Sequence, residues 1–252
     1  MDDHDAAKIA AGNTVNRDEV EFFAKLADTW WDPKGPFKPL HKLNPTRLRY
    51  IRQTVEAHFG IEPGKVKPFE GLRFLDIGCG GGLVSEPMAR LGADMIGVDA
   101  SANNIGTAKT HAEQTGITVD YRNTTSEALA EAGELFDVII NMEVVEHVAD
   151  VDLYLASCRK LLKPGGIMLT STLNRNAKSF LFAIVGAEYV LKWLPKGAHD
   201  WRKFITPDEL GNHLEKAGCT ETSRTGFVFS PIGGWVLSSS DLSVNYVIAS
   251  TA

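Results

Sequence analysis

Residues 74–82 read FLDIGCGGG. An apolar run, Phe74 to Ile77, ends in four glycines within the five positions 78–82, and the helix-like stretch LVSEPMARLG (83–92) follows directly. Strand, glycine turn, helix is the reading that decides the fold. Glycine has no Cβ, so such a turn lets the backbone approach a ligand closely, and the helix start behind it offers unpaired N–H donors. The next apolar run, DMIGVD (94–99), ends at Asp99, 21 positions after Gly78. A carboxylate at that strand end is placed to accept hydrogen bonds from both hydroxyls of a ribose. A tight turn alone needs neither four glycines nor a spaced acid.

Three ligands suit a loop of this kind. A nicotinamide dinucleotide would use G-x-G-x-x-G, but the last position counted from Gly78 is Leu83. ATP would need a Gly-Lys-Ser/Thr loop, which is absent. S-adenosylmethionine has no phosphates, needs the same nucleoside contacts and suits an acid ahead of the glycines, which Asp76 supplies.

Outward from the loop, LRFLDIG, DMIGVD, ITVDYRN, FDVIINM and GIMLTST alternate with helical stretches near 83–91, 103–115, 126–132 and 151–162. That rhythm predicts an α/β fold, a parallel sheet with helices on both faces. The tail differs. TSRTGFVFS and NYVIAST are joined by a loop with no helix, which predicts antiparallel pairing. Before the core, 17–31 has apolar positions at helical spacing, 32–45 is a proline-rich loop, and 45–60 reads as a helix with Pro45 in its first turn and Gly60 past its end. Residues 1–16 are small, polar and expected to be disordered. The expected organisation is one domain over 17–252. It comprises a helical cap (17–68), a cofactor-binding core (69–173), an apolar insertion or lid (174–205) and the C-terminal part of the sheet (206–252), whose helix opens with Thr206 as N-cap and Glu209 at the capping-box position.

Composition narrows the partners. With 44% apolar and 23% charged residues the chain can build a core. A formal net charge of −6 argues against general nucleic-acid binding. Three cysteines without a CxxC suggest neither a disulfide framework nor a cysteine zinc site, which fits the cytoplasm. No apolar run reaches the roughly 20 residues of a membrane span, and the acidic N-terminus lacks a signal-peptide core.

The runs LDIGCGGG, GVDAS, FDVIINMEVVEHV and LKPGG resemble the class I S-adenosylmethionine-dependent methyltransferases. WWDPKGPFKPLHKLNPTRLRYI, NMEVVEHV, STLNRNAKSF and HDWRKFITPDEL extend the likeness to the ubiquinone biosynthesis O-methyltransferase family over roughly residues 17–250. The resemblance implies a Rossmann-like, seven-stranded, mostly parallel sheet with the last strand antiparallel. It implies two O-methylations, of a polyprenylated catechol and of a demethylubiquinol, and partners among other ubiquinone-biosynthesis proteins. It carries cofactor contacts to Arg47, Gly78, Asp99 and Met142; Asp76 and Gly80 join them from the glycine-loop reading. Arg47 lies outside the core and would fold over the cofactor to bind its carboxylate bidentately.

NMEVVEHV (141–148) starts where a strand of the sheet ends, the place where open α/β sheets bind ligands. As one helical turn, at about 100° per residue, it would gather Glu143, Glu146 and His147 on an arc of about 100° and put Val144, Val145 and Val148 opposite. Methyl transfer to a phenol needs a base or a metal, because the phenol is mostly protonated at neutral pH. Two carboxylates and an imidazole leave room for a catechol on Mg²⁺, Mn²⁺ or zinc, and the resemblance favours Mg²⁺ on Glu143, Glu146 and His147. His147 acting directly as the catalytic base, with the glutamates orienting it, is the rival. A water-facing helix start is the third reading.

SFLFAIVGAEYVLKWLPKG (179–197) combines apolar surface with Tyr189, Trp193 and flanking Lys178, Lys192 and Lys196. That composition suits either a buried lid or peripheral contact with anionic lipid on the inner membrane face. The basic run Lys34, Lys38, Lys42, Arg47, Arg49 and Arg52 would add attraction to the same surface.

Overall fold

A computed structural model describes residues 14–176, 179, 201–230 and 233–252. Its centre is a sheet of eight strands, β1 (Arg73–Ile77), β2 (Asp94–Asp99), β3 (Asp120–Asn123), β4 (Phe136–Met142), β5 (Leu162–Leu173), β6 (Thr220–Ser230), β7 (Gly234–Ser238) and β8 (Asn245–Thr251). They lie in the order β3-β2-β1-β4-β5-β8-β6-β7. β3 through β5 pair in parallel; β8 is antiparallel to both β5 and β6. The tail thus pairs as expected, but the strand count of seven is corrected to eight. The loop between the two tail strands holds β7, a short antiparallel edge strand on β6.

Side chains alternate across the sheet with the period of two that strands impose. Leu75, Ile77, Ile139 and Ile248 face a layer that includes Leu155 and Leu161 of α6 (Val151–Leu161) and Leu210 and Leu214 of α7 (Pro207–Lys216). Phe74, Val138, Ile140 and Val247 face Tyr50, Ile51 and Val55 of α2 (Lys38–His58) and Met88 of α3 (Ser85–Arg90). Among the described residues the other α-helices are α1 (Arg17–Ala24), α4 (Ala102–Thr115) and α5 (Ser126–Glu131).

Three boundaries differ from expectation. α2 starts at Lys38, so Pro45 sits inside the helix rather than in its first turn, and the loop is shorter. Pro39 at the helix start supplies the preset φ that the first turn accepts. The helix expected over 17–31 stops at Ala24 and continues as a 3-10 turn, Ala27–Thr29. Of the N-terminal stretch, 1–13 lie outside the described residues, whereas Thr14 is buried and Asn16 caps α1. The basic run is also not one solvent-facing patch: Arg47 is buried, and Arg52 is tied to Glu56 (2.7 Å) and the Lys65 carbonyl. Most of the 174–205 segment, including the lid or lipid element, lies outside the described residues.

α7 carries the expected capping box. Glu209 N–H donates to Thr206 Oγ1 and Thr206 N–H donates to Glu209 Oε2. Thr206→Ala removes one half of this exchange, and urea unfolding is expected to show a loss of about 1 kcal/mol.

Candidate active site

β1, β2 and β4 end side by side, and one cavity of about 580 Å³ opens above their carboxyl ends. Arg47, Asp76, Gly78, Asp99, Met142, Glu143 and His147 all line it. Gly78 and Gly80 have φ of +67° and +54°, the left-handed region that glycine enters without cost. Their missing side chains also make room: a Cβ on Gly78 would stand 2.5 Å from Val144 Cγ2, and one on Gly80 would stand 2.4 Å from the Trp30 ring.

The loop and its acid are joined directly. Gly80 N–H donates to Asp99 Oδ2 (3.0 Å), while Ser101 N–H (2.7 Å) and Asn104 Nδ2 (3.3 Å) donate to Asp99 Oδ1. Burial raises the Asp99 carboxyl above its usual range, and these donors pull it back. Asp76 is 3% exposed and accepts from Ser85 Oγ (2.6 Å). Burial pushes it up to about 7, against the lowering by Ser85 and Arg47.

Arg47 reaches the cavity from α2. Its Nε and Nη2 are buried without a hydrogen-bond partner among the described residues, and Nη2 is 3.9 Å from Glu143 Oε1. A buried guanidinium with unspent donors fits an anionic group of a ligand, as the carboxylate of S-adenosylmethionine requires.

NMEVVEHV does not form the expected helical turn. Glu143 leaves β4 with φ of +58°, so a right-handed helix cannot begin there. Only Val144–His147 closes a turn, with His147 N–H donating to the Val144 carbonyl (2.9 Å). The three side chains consequently take different surroundings while staying within electrostatic reach of one another. Glu143 Oε1 accepts from Ser171 Oγ (2.9 Å) and Asn245 Nδ2 (3.2 Å). Glu146 is buried with neither oxygen hydrogen-bonded among the described residues. Its burial, with the nearby Glu143 charge, raises it to about 7. His147 Nδ1 meets Glu19 Oε2 at 3.2 Å. Among the described residues no three such side chains are placed to hold a metal ion, so the expected Glu143–Glu146–His147 set does not fit one as it stands.

Glu19 and its surroundings escaped the sequence reading. From α1 it accepts from His147 and from Lys203 Nζ (2.8 Å), and the Phe23 ring meets the imidazole edge-on at 5.3 Å. Burial, the largest influence, would lower the His147 imidazole, but the Glu19 hydrogen bond and the charges of Glu146, Glu19 and Glu143 outweigh it, leaving it raised. Burial would raise Glu19, yet His147 and Lys203 hold it down at about 2. Trp30 and Trp31, which the sequence places in the first helix and in the stretch that carries the family likeness, have contacts that no local pattern reports. Trp30 stacks on Phe37 and donates to Asn104 Oδ1 (3.0 Å); Trp31 donates to the Gly81 carbonyl (2.8 Å) and stacks on His111. The WW pair is the signal that marked them, since two adjacent indoles at the end of a short amphipathic helix need partners.

Comparison with known proteins gives the family. A family model described as methyltransferase domain matches residues 43–223. A ubiquinone biosynthesis O-methyltransferase of Cereibacter sphaeroides is 62% identical over 95% of this chain and 98% of its own. The chain belongs to the ubiquinone biosynthesis O-methyltransferase family. Another relative with that name, from Ruegeria pomeroyi, is 59% identical over 94% of this chain and 96% of its own. Among solved structures, an S-adenosylmethionine-dependent methyltransferase from Clostridium acetobutylicum matches with a TM-score of 0.57 at 12% identity, over 92% of this chain and 98% of that one. Magnesium protoporphyrin IX methyltransferase from Synechocystis PCC 6803, solved with bound SAM, matches with a TM-score of 0.52 at 17% identity, over 81% and 79% of the two chains. At these identities the match shows the fold, that of S-adenosylmethionine-dependent methyltransferases. As a member of the ubiquinone biosynthesis O-methyltransferase family, the chain places all six residues read from sequence as cofactor contacts, Arg47, Asp76, Gly78, Gly80, Asp99 and Met142, at or beside the same three strand ends.

The raised carboxyls make stability depend on pH in a defined direction. Asp76 and Glu146 stay protonated in the folded chain up to about pH 7 but ionise near 4 when unfolded. Between those values the folded state holds more protons, so stability falls as pH rises from about 4 to about 7. Asp76→Asn or Glu146→Gln should each remove part of that fall, on the order of 2 kcal/mol, in denaturant unfolding followed across the window.

Proposed function

We propose that the chain methylates phenolic oxygens on the ubiquinone pathway, those of a polyprenylated catechol (2-polyprenyl-6-hydroxyphenol) and of 3-demethylubiquinol. The observation that carries the reading is that one cavity is lined both by the nucleoside-type contacts, Asp99 and Gly78, and by His147. S-adenosylmethionine, when bound, supplies an electrophilic methyl group. Arg47 would hold its carboxylate and Asp99 its ribose hydroxyls, while Gly78 and Gly80 allow the close backbone approach. Met142, at the end of β4 and in the cavity lining, would contact the cofactor one residue before Glu143.

His147 serves as the base. Its Nδ1–H donates to Glu19, which fixes the tautomer with the lone pair on Nε2. Nε2 of the neutral His147 would accept the phenol proton as the O–CH3 bond forms and the CH3–S bond of the donor breaks, its electron pair leaving on sulfur, and the Glu19 carboxylate would stabilise the imidazolium. The orienting carboxylate is therefore Glu19 of the cap, not Glu143 or Glu146. Glu143 balances the Arg47 charge, and α1 brings water-excluding Phe22 and Phe23 to the cavity wall. Peripheral contact with anionic lipid through residues 180–195 belongs to the same reading, since a polyprenylated acceptor stays in the bilayer; the support is the apolar and basic composition of that segment. Among the described residues no helix is long and apolar enough to cross a membrane.

Methyl transfer from S-adenosylmethionine to a short-chain prenyl catechol tests the proposal. Activity should persist in excess chelator. Loss in chelator with recovery on adding Mg²⁺ would instead install a cation on Glu143, Glu146 and His147. His147→Gln should lower kcat by about 10²–10⁴-fold with S-adenosylmethionine binding intact. Glu19→Gln should give a smaller fall in kcat and move the acid limb of the pH–rate profile downward, because the anion that raises the imidazole is gone.

A further inference from the structure

The acceptor proposed above has two unlike parts, a polar ring and a long apolar tail, and the ring end of the cavity is occupied by polar side chains. We propose that the isoprenoid tail leaves the cavity through a groove between the start of α2 and the β6–β7 hairpin, with Phe229 and Trp235 as its mouth. The inference rests on the reading of the acceptor as a prenylated phenol.

The register of the hairpin carries the argument. Phe227 pairs with Leu237 and Phe229 with Trp235. Directly opposed residues on antiparallel strands share a face, and residues two apart along a strand share it too. The four side chains thus form one ladder. Its inner end is core: Phe227 is 1% exposed and meets Tyr50 of α2 edge-on at 5.8 Å. Its outer end is surface: Phe229 is 52% exposed, with its ring 5.6 Å from that of Trp235.

The ladder forms the wall of the same cavity that holds the catalytic groups. Phe227, Phe229 and Trp235 line it on one side, and Pro39, Leu40 and Leu43 of α2 line it on the other. Thr46 Oγ1 donates to the Trp235 carbonyl (2.9 Å) and holds the edge strand against the helix. None of these six side chains is titratable; the polar lining residues near the hairpin, Asp241 and Ser243, belong to the loop between β7 and β8. A half-exposed Phe at a cavity mouth, continuous with a buried aromatic row, fits an extended apolar ligand that enters from outside. Two residues of strand advance about 7 Å, so the ladder spans the first isoprene units and leaves the remainder outside the protein.

The ratio of kcat/KM for a short-chain prenyl catechol to that for the same catechol without a tail measures the groove. Phe229→Ala should lower this ratio about tenfold, mainly through KM of the prenylated acceptor. Trp235→Ala should act in the same direction. An unchanged ratio, or equal losses on both acceptors, overturns the groove. A catechol with a photoreactive group on its first isoprene unit provides a readout that does not depend on turnover. Labelling within 227–237 supports the proposal, and labelling confined to 180–200 overturns it. If the wild-type chain labels within 227–237 yet methylates neither acceptor, the groove stands and the methyltransferase reading fails. Loss of sedimentation with anionic vesicles in Phe229→Ala, at an unchanged ratio, would make the hairpin a lipid contact and overturn the groove.

Discussion

The contact between Gly78 and Val144 holds the site together. β1 and β4 are neighbours in the sheet, and each must turn away from its own end without closing the space above it. Gly78 does so with positive φ and no side chain, and Val144 fills the room that a Cβ would take. Glu143 adopts the same left-handed region just before it. The glycine loop and the stretch that carries His147 therefore descend from two adjacent strand ends locked by one steric fit. Packed interiors transmit such fits because they have no slack.

The cap completes what the strands begin. Arg47, Trp30, Trp31 and Glu19 all come from before residue 60: Arg47 reaches the cavity, Trp30 and Trp31 pack on the glycine loop and α4, and Glu19 meets His147. The core alone would present an open shelf of strand ends. With the cap in place, the same shelf becomes a partly covered cavity in which a guanidinium is buried and an imidazole mostly so, where their interactions with ligand charge are stronger.

How much of this the amino-acid sequence made legible depended on how local the cause was. The bounds of β2 and β4 were legible to the residue, because one apolar run is closed by Asp94 and Asp99 and the other runs from Phe136 to the Asn141–Met142 pair. The capping box of α7 was legible for the same reason. The start of α2 was not, since prolines that usually signal a loop here fall at the helix start and inside it. β7 was missed because GWVLS is short, lies at the sheet edge and is only partly buried, so it carries no alternation. The arc proposed for Glu143, Glu146 and His147 failed at a single φ angle, one that glutamate rarely adopts. Glu19 was invisible for a different reason: its partners His147 and Lys203 lie 128 and 184 positions away, and no local pattern reports a contact of that range.

Glu146 has a consequence for the history of the chain. A carboxyl buried with neither oxygen bonded works against folding, and a neutral or apolar side chain of similar size would relieve it. Drift toward greater robustness would therefore erode this position first. The acid at this position is thus a cost to the fold, and a chain selected for stability alone would replace it.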